Sequence, residues 1–146
     1  MIQYMLDTNT VSDFIKNQPA VTRRLLAVPI RSLCISSITE AELLYGVGKR
    51  PAAKTLNKIV NEFLQRVDVL AWDRQAAERY ATAKVKIESK GKTLSPLDLL
   101  IASHALSTGC TLVSNDKAFR FIPGLSLENW SNARSRTKAT SRARRL

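Results

Sequence analysis

The chain has 146 residues, 45% of them hydrophobic, and a formal net charge of +11; that length buries about two-thirds of the unfolded surface in one domain, and that composition excludes wholesale disorder. No apolar run approaches the roughly 18 residues that a membrane crossing needs, and Asp7 stands where a signal peptide would be apolar, so the sequence reads as a cytoplasmic protein without membrane association. Residues 131–146 hold six of the cations and no acid, which divides the chain into a domain, 1–131, and a basic C-terminal tail, 132–146, too polar to build a core; the remaining surplus of cations suits a polyanion such as nucleic acid.

In chain order, residues 3–6 read as a first strand that ends on Asp7-Thr8-Asn9-Thr10. A short helix follows, with Val11, Phe14 and Ile15 at helical spacing; Pro19 ends it, and 20–27 forms another. Residues 33–37 read as a second strand. The third helix starts at Thr39 and stops at Gly48 and Pro51, and the fourth, 52–66, carries a clear apolar stripe from Leu56 to Val67. A third strand spans 67–71. Asp73 caps a fifth helix that stops at Gly91, and a sixth runs from Ser95-Pro96 to Gly109. Residues 111–114 form a fourth strand, 115–121 a short helical turn and 125–127 a short edge strand. Strands alternating with helices predict an α/β fold, a three-layer α/β/α sandwich on a mostly parallel sheet.

Four acids recur at one kind of position: Asp7, Glu42, Asp98 and Asp116. Each has a local structural explanation. Asp7 caps a helix, Thr39 and Glu42 spell a capping box, Ser95-Pro96-Leu97-Asp98 is a helix start with its acid at the positive end of the dipole, and Asp116 follows a strand exit. Together they share more. In a parallel sheet with helical crossovers, helix N-termini gather at the carboxyl edge, where open α/β folds bind ligands. Four carboxylates there repel one another unless a cation sits between them, and hard oxygen donors favour Mg2+ or Mn2+. A divalent ion also reconciles the acids with a basic surface, because it lets phosphate approach. The chemistry this predicts is metal-assisted phosphodiester hydrolysis. Asp7 and Asp98 take the main ligand roles, Asp116 binds directly or through water, and Glu42 binds the ion or orients the attacking water.

These segments resemble a family. Met5-Leu-Asp-Thr-Asn9, the run from Ser36 to Gly46, Pro96-Leu-Asp-Leu-Leu-Ile-Ala102 and Leu112-Val-Ser-Asn-Asp116 look like the four signatures of PIN-domain nucleases, in order, and the match is nearest to VapC toxins of bacterial VapBC toxin–antitoxin pairs. It covers residues 2 to about 131; Asn129-Trp130-Ser131 resembles where such toxins end. The resemblance implies a parallel sheet with helices on both faces and a Mg2+- or Mn2+-dependent endoribonuclease. It also implies a homodimer, a structured RNA such as tRNA as substrate, and a cognate VapB-type antitoxin as partner. It places the acids at Asp7, Glu42, Asp98 and Asp116, and prefers Glu42 to Glu40 because Glu42 precedes Leu43.

Other residues carry bland readings. His104 lies on an apolar stripe and reads as a partly buried, hydrogen-bonded histidine. Cys34 and Cys110 read as buried reduced thiols, too few with one histidine for a zinc site. Thr8, Asn9 and Ser114 neighbour the acids and either hydrogen-bond them or substrate phosphate, or serve as turn and cap residues. Lys84, Lys86, Lys90 and Lys92 are phosphate contacts or a solvated face, and Tyr45 and Trp72 are packing residues or stacking platforms. Three rivals remain. A haloacid-dehalogenase-type phosphatase would use Leu6-Asp-Thr-Asn-Thr-Val11, but Asn9 replaces its second acid. A receiver domain lacks its acidic pair. A non-catalytic RNA-binding module would not need the intact acids.

Overall fold

A computed structural model describes residues 2–132, so the basic tail from 133 onward lies outside the described residues. Five strands form one sheet: β1 (Tyr4–Leu6), β2 (Leu33–Ser36), β3 (Asp68–Leu70), β4 (Thr111–Val113) and β5 (Leu127–Glu128), in the order β3-β2-β1-β4-β5. Every pairing is parallel, the short last strand included. Six helices cover the two faces: α1 (Thr8–Ile15), α2 (Pro19–Ala27), α3 (Ser37–Gly48), α4 (Lys54–Arg66), α5 (Arg74–Ser89) and α6 (Pro96–Thr108). The expected α/β/α sandwich is therefore the fold.

The strands are nearly unbroken apolar runs because both faces are covered. Successive β1 residues point to opposite layers. Met5 packs with Ala83 and Ile87 of α5 and Leu99 and Ala102 of α6, while Leu6 packs with Val11 of α1, Val21 of α2 and Val60 of α4. Trp130 closes the second layer. It is 1% exposed, meets Tyr4 edge-on at 5.1 Å, donates its indole N–H to Glu128 at 2.9 Å and lies under the Arg24 guanidinium, which pairs with Glu128 at 3.1 Å.

Three local expectations change. Pro19 does not end the first helix; it opens α2 at the first helical position, where its missing N–H costs nothing. Helix α3 begins two residues before Thr39, capped by Ser36, whose hydroxyl accepts from Ile38 N–H at 3.1 Å; Thr39 is buried in the first turn and the Thr39–Glu42 box does not form. Finally, not every helix starts at the carboxyl edge. Helix α6 runs straight into β4 through Gly109 (φ +74°) and Cys110, so its N-terminus lies at that edge. Helix α5 packs along α6 as the other half of a helical hairpin, so its C-terminus and the 90–95 loop reach the same edge.

Candidate active site

The order in which strands are added switches sides at β1. After β1 the chain moves to β2 and β3 on one side, and β4 and β5 lie on the other. Such a switch point opens a crevice at the carboxyl ends of the two central strands. Asp7 follows β1 there. Its backbone N–H donates to Val113 of β4 at 3.1 Å, and its Oδ1 accepts the Thr10 N–H at 2.8 Å, capping α1. The residue is only 4% exposed. Burial pushes its carboxyl above the ordinary value of 3.8; hydrogen bonds from Ser114 and Thr10 oppose the shift, and the nearby Asp98 charge adds to it.

Asp98 lies in the first turn of α6 and is half-buried; Ser95 caps that helix, accepting the Asp98 N–H at 3.3 Å. Burial raises its carboxyl too, with Asp116 adding and the Ser95 hydroxyl opposing. Asp116, also half-buried, caps the 3-10 helix Lys117–Phe121 through Oδ1, which accepts Ala118 N–H at 2.9 Å. Its own N–H donates to the Ser114 hydroxyl at 3.0 Å. Asp7, Asp98 and Asp116 thus form an electrostatic chain from three elements, with Ser114 touching both ends.

Glu42 is tied in through Thr8. The Thr8 hydroxyl donates to Glu42 Oε1 and lies 3.3 Å from that of Thr39, so α3 is fastened to the residue after Asp7. The missing capping box leaves Glu42 available for this contact. Beside Thr8 and Glu42 opens a cleft of about 240 Å3, floored by Leu43, Val47, Leu56 and Val60 and edged by Lys16, Lys49 and Arg50.

Among the described residues, no three acidic, histidine or cysteine side chains already stand together as a metal cage. The donor chemistry nevertheless fits a hard divalent cation. All the donors are carboxylate oxygens, and the ion pair among the described residues, Arg24–Glu128, involves none of these acids. A buried carboxylate raised by a neighbouring carboxylate and lacking a cationic partner is the electrostatic state that a metal ion relieves.

His104 stands apart from this chemistry. It is 1% exposed, fully buried rather than partly, because the end of β2 folds over it. Its Nδ1 lies 2.7 Å from the Ser36 hydroxyl, and it faces the Ala71 carbonyl, so it ties α6 to β2 and to the exit of β3 as a neutral ring. Burial lowers its pKa, opposed by the Asp73 charge and the Ala71 carbonyl. Cys34 and Cys110 are buried free thiols, Sγ to Sγ 3.7 Å. Trp72 is a packing residue, half-buried and donating its indole N–H to Leu100 at 2.9 Å. Tyr45 is 67% exposed, under the Lys49 ammonium. Asn9, where a phosphatase would carry its second acid, is exposed on α1. Sequence reasoning singled out Lys92 but passed over Phe121, whose ring it meets; that contact joins distant segments and leaves no local sequence signal.

A family model described as "PIN domain" matches residues 4–125. The chain is 39% identical to "tRNA(fMet)-specific endonuclease VapC" of Salmonella typhimurium, over 89% of this chain and 99% of that protein. It is 35% identical to "Ribonuclease VapC2" of Haemophilus influenzae over the same shares. Among solved structures it resembles VapBC2 of Rickettsia felis bound to a promoter DNA fragment, with a TM-score of 0.81, 36% identity and coverage of 89% of this chain and 99% of that one. DNA-bound VapBC of Salmonella typhimurium also matches with a TM-score of 0.81, at 39% identity over 89% and 99%.

Proposed function

The chain belongs to the PIN-domain family, and from that premise we propose that it is the toxin of a toxin–antitoxin pair, a divalent-metal-dependent endoribonuclease. Relatives sharing its whole domain are named as VapC ribonucleases. One observation carries the reading at the level of chemistry. A buried Asp7 at the switch point is coupled to Asp98, and Asp98 to Asp116, and among the described residues none of the three is ion-paired with a lysine or arginine.

Asp7, Asp98 and Asp116 are the residues that would hold Mg2+ or Mn2+. The first is fixed by its two hydrogen-bond donors, and the other two, half-buried, face it from the first turn of α6 and from the exit of β4. A bound ion supplies Lewis-acid polarisation of the phosphodiester and a lowered pKa for the attacking water. Glu42, held by Thr8, is set to orient or deprotonate that water. Lys16, Lys49 and Arg50 along the neighbouring cleft neutralise the incoming backbone, and the apolar floor accepts the flat faces of bases. The substrate is RNA, most directly tRNA as for the Salmonella relative, and cleavage stops translation. The partner is a VapB-type antitoxin, as in the VapBC complexes it resembles. The enzyme works as a homodimer in the cytoplasm, on a domain ending near residue 131, with the basic tail as an accessory to RNA binding.

Total tRNA incubated with wild-type protein and Mn2+ is cut at discrete positions, and EDTA stops the reaction. Asp7→Asn and Asp98→Asn leave the RNA intact. Cleavage that survives both substitutions refutes the assignment of the site.

A further inference from the structure

Outside the acids, one exposed cluster joins two segments that flank the site. The Lys92 Nζ lies 4.7 Å from the centre of the Phe121 ring, and the Arg120 guanidinium carbon lies 5.5 Å from it. All three residues are exposed. Two cations from segments 28 positions apart are thus gathered on one aromatic ring, and among the described residues neither has an acidic partner. Cation–π attraction accounts for each cation's place over the ring, and with no acid on either, both charges remain open to an anion.

The backbone around the cluster is held by hydrogen bonds and buried neighbours. Gly91, at φ +72°, turns the end of α5, and Lys92 N–H donates back to Ile87 at 3.1 Å, which fixes where the lysine leaves the loop. Phe119 and Ile122 are buried in the core, and this anchors the 3-10 helix and turns Arg120 and Phe121 outward. Both segments belong to the site described above. The loop carrying Lys92 runs into Ser95 and Asp98, and the helix carrying Phe121 is capped by Asp116. At the rise of a 3-10 helix, Phe121 stands about 10 Å along from that cap. One to two nucleotides of an extended strand cover such a span.

We propose that Lys92 and Arg120, gathered by Phe121, form a phosphate-binding platform that holds the RNA backbone one or two nucleotides away from the acids, on the Asp98–Asp116 side of the crevice. Phe121 is a positioning residue: it offers no hydrogen bond and acts by keeping the two cations together. The proposal rests on the nuclease reading for its ligand.

The test measures binding and cleavage separately. In EDTA, a labelled polyuridine oligonucleotide is titrated against Asp98→Asn protein over a salt series, alone and combined with Lys92→Gln/Arg120→Gln. A control pair, Arg23→Gln/Arg31→Gln, removes the same charge from exposed positions of α2 and of the turn leading into β2, neither of which lines the cleft. Losing two phosphate contacts lowers the slope of log K against log salt by about 1.4 for a single strand; the control pair leaves it unchanged. Phe121→Leu, which keeps both charges, weakens binding severalfold, and in the otherwise wild-type enzyme it raises KM while kcat holds. An unchanged slope in the Lys92/Arg120 variant, or an equal loss in the control pair, overturns the platform but not the nuclease reading, which stands on metal-dependent cleavage by wild type. Absence of that cleavage with the binding differences intact sinks the nuclease reading alone.

Discussion

Asp7→Asn separates the cost of the acids from their use. In the metal-free protein Asp7 is a buried carboxylate whose pKa is raised, first by burial and further by Asp98. The native state therefore binds its proton more tightly than the unfolded chain does. The stability this contributes is full below the unfolded value near 3.8 and is lost as pH rises through the raised native value. At neutral pH the metal-free wild type carries the whole penalty. Asparagine keeps the oxygen that accepts the Thr10 N–H at 2.8 Å, so the α1 cap survives. Its amide N–H can donate to the Ser114 hydroxyl, so only the charge is removed. Weaker neutral hydrogen bonds offset part of the relief. The net gain is about 1 kcal/mol, within the range typical of relieving a strained functional site. For a domain of this size that is about 4 °C in Tm. Metal reverses the order. At a hundred times its Kd, an ion bound only by the native state stabilises the wild type by about 2.7 kcal/mol, and a tenfold weaker site gains only about 1.4. Thermal unfolding of both proteins at pH 7.5, in EDTA and in excess Mn2+, checks this: the variant melts higher without metal, the wild type with it. A variant that melts lower in EDTA, or an equal Mn2+ shift in both proteins, would refute the electrostatic argument.

Three further outcomes follow from the same geometry. Glu42→Gln abolishes RNA cleavage whereas Glu40→Gln leaves it within about twofold, measured as initial rates on tRNA; equal losses would mean that the wrong glutamate was chosen. Thr8→Val removes the hydroxyl that fastens Glu42, and at about 1.4 kcal/mol for a side-chain hydrogen bond it lowers kcat about tenfold with Tm little changed. His104→Phe breaks the tie from α6 to Ser36 and Ala71 and costs about 2–3 kcal/mol in urea unfolding, while cleavage per folded molecule is unaffected. Because burial lowers the His104 pKa, the unfolded chain takes up its proton first, so wild-type stability falls as pH drops below about 6.5 and the variant lacks that component.

The local rules reached a long way into this structure. The helix starts at Asp73 and at Ser95-Pro96, the αL stop at Gly109, and the strand–acid junctions at Asp7 and Asp116 are set by residues within three or four positions of each other. They are legible because capping geometry is local. The alternation of elements fixed a parallel sheet, and with it the edge to which the acids belong. What remained hidden depends on contacts across the fold. The Ser36 cap displaced the Thr39–Glu42 box because Ser36 sits where β2 ends against His104, a packing fact 68 residues away in sequence. Glu42 is then free to meet Thr8, 34 residues distant. Helix α5 departs from the expected direction because α6 must descend into β4, which only the hairpin geometry of the pair decides. The burial that raises Asp7 and the ring that gathers Lys92 and Arg120 likewise exist only once layers close over the sheet. The residue types and their order determined a nuclease-like set of acids at one edge; the tertiary structure decided which of them is buried, which is coupled to which, and what stands beside them, because desolvation and long-range contact are properties of the packed chain and not of any segment.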